Sequence, residues 1–317
     1  RLLFLICLNG GALALECILQ RIYYGTYRSH LYGDAPGKLL FLIEPAINSY
    51  SIAQFGPFAY RSNAASYFNL IWPLALGLLI QQGRENLDYR KRRIGSGLEI
   101  LLIPCIILAA SGPFISSARG GAFVMFGLLI LAAVSIMFLK IQSTFLRMSV
   151  STALLAGFGV AYQLGWQKLE SRLIQSMRGL KGRSSLSETA YKMIDEYPIF
   201  GSGPGSFEAL AQFELDDTFT IWQSWVHNDY LEFYLTFGKI GGGVLVALAV
   251  ILTLQYLTTF FGGLARPIKW FGFLAIVGVA THAIKDFPLQ VYSILTLLTV
   301  VTVVILTHRS PDHIRPQ

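Results

Sequence analysis

The chain has 317 residues, 54% of them hydrophobic and 14% charged, with a mean hydropathy of +0.54 and a formal net charge of +7. Soluble domains carry about 25% charged residues, so the composition excludes an ordinary soluble domain and points to an integral membrane protein. The placement of the basic residues, on one side of the expected membrane spans, accounts for the positive charge without a nucleic-acid partner.

Apolar runs long enough to cross a bilayer, about 17–25 residues, occur at roughly 2–20, 64–80, 98–116, 121–139, 148–165, 240–261 and 289–307. A shorter run at 270–284 lies between Trp270 and the polar turn "KDFPLQ". None alternates with the period of two that a closed barrel needs. The expected fold is an all-α integral membrane protein, a polytopic helical bundle of about eight spans with one long helical loop. Residues 1–317 read as a single transmembrane domain, with 166–239 as the loop between two spans. The first run starts without Met and without a cleavable leader pattern, so the sequence reads as cut from a longer protein that has earlier spans. Cys7, Cys17 and Cys105 all lie in apolar runs. Cys7 and Cys17 share one predicted helix, roughly 15 Å apart at 1.5 Å per residue, beyond disulfide reach.

Orientation follows from the positive-inside rule. The segment "QQGRENLDYRKRR" (81–93) holds five basic residues and is placed in the cytoplasm, followed by 140–147, 262–269 and the tail after Thr307. The inside then carries twelve Lys/Arg against four Asp/Glu, and the outside thirteen of each. Every polar cluster able to do chemistry falls outside, where ATP and nucleotide-sugars are absent. A transfer reaction there needs a donor that arrives already activated, and a lipid-linked one suits that requirement.

Along the outer loop, "WQKLESRLIQSMRGLKGR" (166–183) places Trp166, Leu169, Leu173, Met177 and Leu180 at helical spacing. Lys168, Arg172, Arg178, Lys181 and Arg183 stand between them, the pattern of a basic helix lying in the membrane interface. The next stretch, "SSLSETAYKMIDEYP" (184–198), starts with Ser185-x-x-Glu188, a capping-box pattern. That puts Arg183 just before an expected helix N-terminus, where backbone N–H groups and a guanidinium together favour a phosphate. "FGSGPGSF" (200–207) does not follow a strand or open a βαβ unit, so it reads as a close-packed turn and not a dinucleotide loop.

Arg119 occupies the turn of a two-span hairpin, "FISSARGGAFVMF", whose Ser116, Ser117, Gly120 and Gly121 leave room for a ligand near the backbone. A span-end Arg can snorkel, but this narrow polar turn favours a functional role. In "SWVHNDYLEFYLTFG", His227 is the one His of the long outer segment and precedes a helical run that Asn228 or Asp229 can cap. Imidazole titrates near neutral pH, at about 6.5, which suits a base. With Arg61, Arg119 and Arg183 on the same face, His227 suggests proton abstraction beside a phosphate leaving group. His227-x-Asp229 and the pair Asp216-Asp217 are too few ligands for a metal site. No cofactor or metal is expected. His282 and Asp286, four apart at a span end, fit local capping and pairing.

Taken in order, "FGPFAYRSNAASYFNLIWPLALGLL", "SSARGGAFVMF", "YKMIDEYPIFGSGPGSF", "HNDYLEFYLTFGKIGG" and "DFPLQ" resemble the bacterial O-antigen ligases and the related O-antigen polymerases. The resemblance covers most of the chain and rests on the order of the motifs around the long loop. It implies a membrane glycosyltransferase of the bacterial inner membrane, multi-pass, with its active site and its 166–239 loop facing the periplasm. Such an enzyme takes glycan from undecaprenyl pyrophosphate and passes it to lipid A core, or to another glycan acceptor. On the family pattern the hairpin Arg maps to Arg119, the Arg before the loop helix to Arg183, and the loop His to His227. These three are the expected catalytic residues, with Arg61, Asn228, Arg178 and Lys181 as substrate-binding residues. "RSN" at Arg61, Ser62 and Asn63 stands where relatives often carry Arg-Asn-His. The implied reaction is inverting and metal-independent. Alternatives are a polymerase, a protein O-oligosaccharyltransferase and, in another class, a transporter of lipid-linked glycan or a structural scaffold.

Overall fold

The structure, a computed structural model, describes residues 1–28, 54–89, 98–138, 144–174, 176–215, 224–261 and 267–307, and among these the side chains of 23–28, 84–89, 138, 144–146, 167–169, 171–174, 176–183 and 259–261 lie outside the description. The helices are α1 (Leu2–Arg28), α2 (Arg61–Tyr89), α3 (Leu102–Ile115), α4 (Arg119–Phe138), α5 (Thr144–Ile174), α6 (Ser176–Glu196), α7 (Ser206–Glu214), α8 (Asp229–Phe261), α9 (Pro267–Ala283) and α10 (Tyr292–Thr307). Six of them contain stretches long and apolar enough to cross a membrane: Leu2–Ile22, Arg61–Gly83, Leu98–Ile115, Arg119–Met137, Arg147–Trp166 and Asp229–Thr258. Pro267–Ala283 and Tyr292–Thr307 are shorter apolar helices. The expected all-α polytopic architecture is therefore what the chain adopts.

Helix α2 is the centre of the bundle. It packs on α1, α3, α4 and α9, and Ala64, Phe68, Ile71, Trp72, Leu74 and Leu76 along it are fully enclosed. Small residues allow this close approach, as in other helix pairs that lack a hydrophobic driving force between them. A Cβ on Gly77 would lie 2.7 Å from Phe271 Cβ, and one on Gly112 would lie 2.5 Å from the Phe68 ring. The three cysteines are buried free thiols.

A second, smaller core holds the loop helices. Leu186, Ala190, Met193 and Ile194 of α6, Phe207 and Ala211 of α7, and Val226, Leu231 and Leu235 at the head of α8 bury one another. A backbone interlock joins this unit to the membrane half of α8. Helix α8 breaks at Gly238 (φ 62°), and Gly201 (φ 76°) sits against the break. Ser202 N–H donates to Leu235 O (2.9 Å) and Gly203 N–H to Thr236 O (3.1 Å), while Lys239 and Ile240 N–H donate to Pro198 O (3.0 Å) and Ile199 O (3.2 Å). The turn thus takes up the backbone groups that the break releases, which must be satisfied in any buried segment. Both positions need glycine, because a Cβ at Gly201 would lie 2.4 Å from Thr236 O, and one at Gly238 would lie 2.3 Å from Ile199 O. The "FGSGPGSF" stretch is the close-packed turn expected.

One expectation is corrected. Helix α6 runs unbroken through Ser185, so Ser185-x-x-Glu188 is not a capping box and Arg183 does not precede a helix N-terminus. No proline interrupts 176–196, and Leu186, Ala190, Met193 and Ile194 bury one continuous stripe. That shared face draws the flanking residues into the same helix despite the serines.

Candidate active site

Four helix ends meet at one end of the bundle: the heads of α2, α4 and α8 and the tail of α9. The residues leading into α8 adopt an unusual shape. His227 has φ 59°, the left-handed region in which His is among the better-tolerated non-glycine residues. Asn228 follows as the N-cap, its Oδ1 accepting the Leu231 N–H at 3.2 Å. The strained residue and the cap together turn the chain from the loop core into the helix, and the His227 ring meets the α9 tail.

There His227 Nδ1 lies 3.1 Å from Asp286 Oδ1. Asp286 is buried, while the His227 side chain keeps 19% of its surface exposed, so the ring spans the boundary between protein interior and outside. Asp286 Oδ1 also accepts the Phe287 N–H at 3.2 Å, and Asp286 O accepts the Asp229 N–H at 3.3 Å. Asp229, fully buried, is not the cap; its Oδ2 accepts the Leu289 N–H at 2.7 Å, tying α8 to the turn after α9. Glu232, buried on the next turn, accepts the Val226 N–H at 3.1 Å and holds the approach to His227. Aromatic rings pack around the His227–Asp286 pair: Phe287 stacks between Trp225 (5.1 Å) and Tyr60 (5.3 Å), with the His227 ring edge-on to it at 5.0 Å.

Behind Asp286 lies a second histidine. Ser62 Oγ donates to Asp286 Oδ2 and stands 3.1 Å from His282 Nε2, and His282 Nδ1 is hydrogen-bonded with Ser66 Oγ. His282 is 1% exposed. The glycines after Arg119 make space for it: a Cβ on Gly120 would lie 3.2 Å from His282 Nε2, and one on Gly121 would lie 3.3 Å from Cε1 and 2.3 Å from Ala65 Cβ. Asn69, one turn further along α2, donates to Gly121 O at 3.0 Å. The polar turn that carries Arg119 is therefore fastened to α2 and α9.

Arg61 opens α2 next to Ser62, and Arg119 opens α4 next to Gly120. The structure thus gathers Arg61, Arg119, His227 and Asn228 at one end of the bundle. Arg183, Arg178 and Lys181 lie on α6, but their side chains, like the whole of Asp216-Asp217, lie outside the described residues. Asp286, His282, Ser62 and Ser66 are what the sequence reading missed as a constellation. The His282–Asp286 spacing of four was visible, as was the matching Ser62–Ser66 spacing. Neither states that α2 and α9 are neighbours across some 220 residues. Among the described residues no group of three or more His, Cys, Asp or Glu is placed to hold a metal ion.

Span-length apolar helices with buried polar side chains gathered at one end of the bundle fit an all-α multi-pass membrane protein. A protein-family model described as O-antigen ligase matches residues 104–246, the stretch from α3 into α8 that includes Arg119 and His227. Over that segment the chain is similar to the O-antigen ligase family. No curated protein and no solved structure matches the chain.

Proposed function

We propose that the protein is an inverting glycosyltransferase of the bacterial inner membrane that moves a glycan from undecaprenyl pyrophosphate to lipid A core on the periplasmic face. The observation that carries this reading is the pairing of partly exposed His227 with buried Asp286, at the end of the bundle where Arg61 and Arg119 open their helices. Asp286 accepts a hydrogen bond from the Nδ1–H, which leaves Nε2 as the basic atom. Nε2 removes the proton from an acceptor hydroxyl as its oxygen bonds to the anomeric carbon. The bond from that carbon to the diphosphate oxygen breaks with its electron pair, and the lipid diphosphate departs. A single displacement inverts the anomeric centre.

Arg119 and Arg183 hold the diphosphate and meet the charge that grows on it, a task for donors already in place. Arg61, Arg178 and Lys181 contribute further positive charge for the donor, and Asn228 borders the acceptor side. The guanidinium groups supply the charge that this scheme needs without a metal. The loop 166–239 faces the periplasm and shields the reacting centre.

The test is transfer in proteoliposomes that contain labelled undecaprenyl-pyrophosphate glycan and lipid A core, with wild type and His227→Ala side by side. Label on lipid A with wild type alone supports the reading. Chains lengthening on the lipid carrier identify a polymerase, and label on added protein identifies a protein glycosyltransferase. Label that only changes leaflet, with no covalent product, overturns the enzyme reading in favour of a transporter.

A further inference from the structure

The hydrogen bonds around Asp286 have a direction. The hydroxyl hydrogen of Ser62 goes to Asp286 Oδ2, so Ser62 Oγ has only lone pairs left for His282 Nε2, 3.1 Å away. His282 must therefore donate from Nε2. In the neutral ring Nδ1 is then the acceptor, and the hydroxyl beside it, that of Ser66, is the donor. The chain of donors runs one way, from Ser66 through His282 and Ser62 into the Asp286 carboxylate. Asp286 Oδ1 receives the Phe287 N–H and faces His227 Nδ1. A carboxylate supplied with protons on every side is held as an acceptor, and the one arrangement of His227 that suits it has the hydrogen on Nδ1. The tautomer of a histidine is set by the bond that its other nitrogen makes.

We infer that His282 is a positioning residue: with Ser66 and Ser62 it forms a one-way hydrogen-bond arm that fixes Asp286 as acceptor and His227 as the Nδ1–H tautomer with Nε2 free. The identity of Nε2 as the reacting atom rests on the proposed function; the arm itself rests on the hydrogen bonds and burial. Two features mark it as built for this. His282 is 1% exposed, where an unpaired imidazole would be costly. The Gly120-Gly121 step leaves the room in which the ring is seated, since a Cβ on either residue would press on it. Chains of hydrogen bonds also polarise one another in a low-dielectric interior.

The arm has a sign. The Ser62 hydroxyl draws charge from Asp286 and weakens its hold on a protonated His227. Removing that donor strengthens the hold, so His227 stays protonated to higher pH. The other ionisable groups on the elements packed around the site are Tyr60 just before α2, Arg61 on its head, Arg119 on α4, Asp229, Tyr230 and Glu232 on α8, and Lys285 after α9. None of these is altered in the variants chosen.

The test is ¹⁵N NMR of histidine-labelled full chain in detergent, titrated with pH, with the His227 signals assigned by their loss in His227→Gln. Neutral His227 is expected as the Nδ1–H form. In Ser62→Ala its titration is expected to move to higher pH by about 0.5 unit, a fraction of what a hydrogen bond to a charged group is worth, because the loss reaches His227 only through Asp286. His282→Leu is expected to move it likewise, and Ser66→Ala by less. His282→Gln, which keeps an amide donor for Ser62, is expected to stay near wild type. If Ser62→Ala does not fold, Ser66→Ala, at the far end of the arm, reads the same sign. An Nε2–H tautomer in wild type, or an unmoved titration in the folded serine and leucine variants, overturns the arm. Failure of wild type to transfer glycan in proteoliposomes counts against the proposed function alone, because the NMR result does not depend on transfer.

Discussion

Helices α2 and α8 both have the length to span a membrane, yet they use it in opposite ways. Helix α2 carries Ser62, Asn63, Ser66 and Asn69 in its first turns and is buried nearly throughout. The membrane half of α8 is almost wholly apolar, and Ile240, Val244, Val246, Ile251 and Leu254 are exposed. In water this would be inverted, with the polar helix outside. In lipid the tails solvate apolar side chains as well as a protein interior does, so polar groups are driven inward to find partners. Chemistry then gathers where buried polar helix ends meet, and the apolar helix is left to face the bilayer.

Predictions follow that contrast from its active end to its silent one. His227→Ala removes the proposed base while leaving the fold, and transfer in proteoliposomes is expected to fall by roughly 10²–10⁴-fold. Arg119→Ala is expected to lower kcat by about 10²–10³-fold, with Arg119→Lys restoring only part of it, since Lys cannot make the paired hydrogen bonds of a guanidinium. Gly121→Val places a side chain where Ala65 Cβ is 2.3 Å away. Its expected cost is about 1–3 kcal/mol, read as a lower melting temperature in detergent. Val246→Ala and Ile251→Ala, on the exposed face of α8, are expected to change stability by less than about 0.5 kcal/mol. A larger loss from that pair would break the contrast, because it would mean that the face is covered in the assembled protein.

The helices were legible because span-length apolar runs are a strong signal, and each of the runs read from the sequence corresponds to a helix. The polar residues at the site were legible one at a time: Arg119 as a charge at a span end, His227 as a lone imidazole in a loop. Their common face followed from the span topology, but the buried partners behind His227 did not. Ser62 and Ser66 look like ordinary small polar residues in a span, and only the packing of α2 on α9 reveals that they face His282. The Arg183 helix start was misread for a physical reason. A capping box is defined by local chemistry, whereas α6 is held by a stripe of buried Leu186, Ala190, Met193 and Ile194 whose partners lie on α7 and α8. Tertiary burial outweighed the local signal.

The Gly201–Gly238 interlock bears on how the molecule can be engineered. Surface connections usually accept tags and added residues, and "GSGPGS" has the look of a flexible linker. Here Pro198, Ile199, Ser202 and Gly203 stand in for the missing turn of α8 through four backbone hydrogen bonds. An epitope or even one extra residue placed between Ile199 and Gly203 would shift that register and strip α8 of those partners at its bend. For a label or a split site, the segment has to be treated as the inside of a helix.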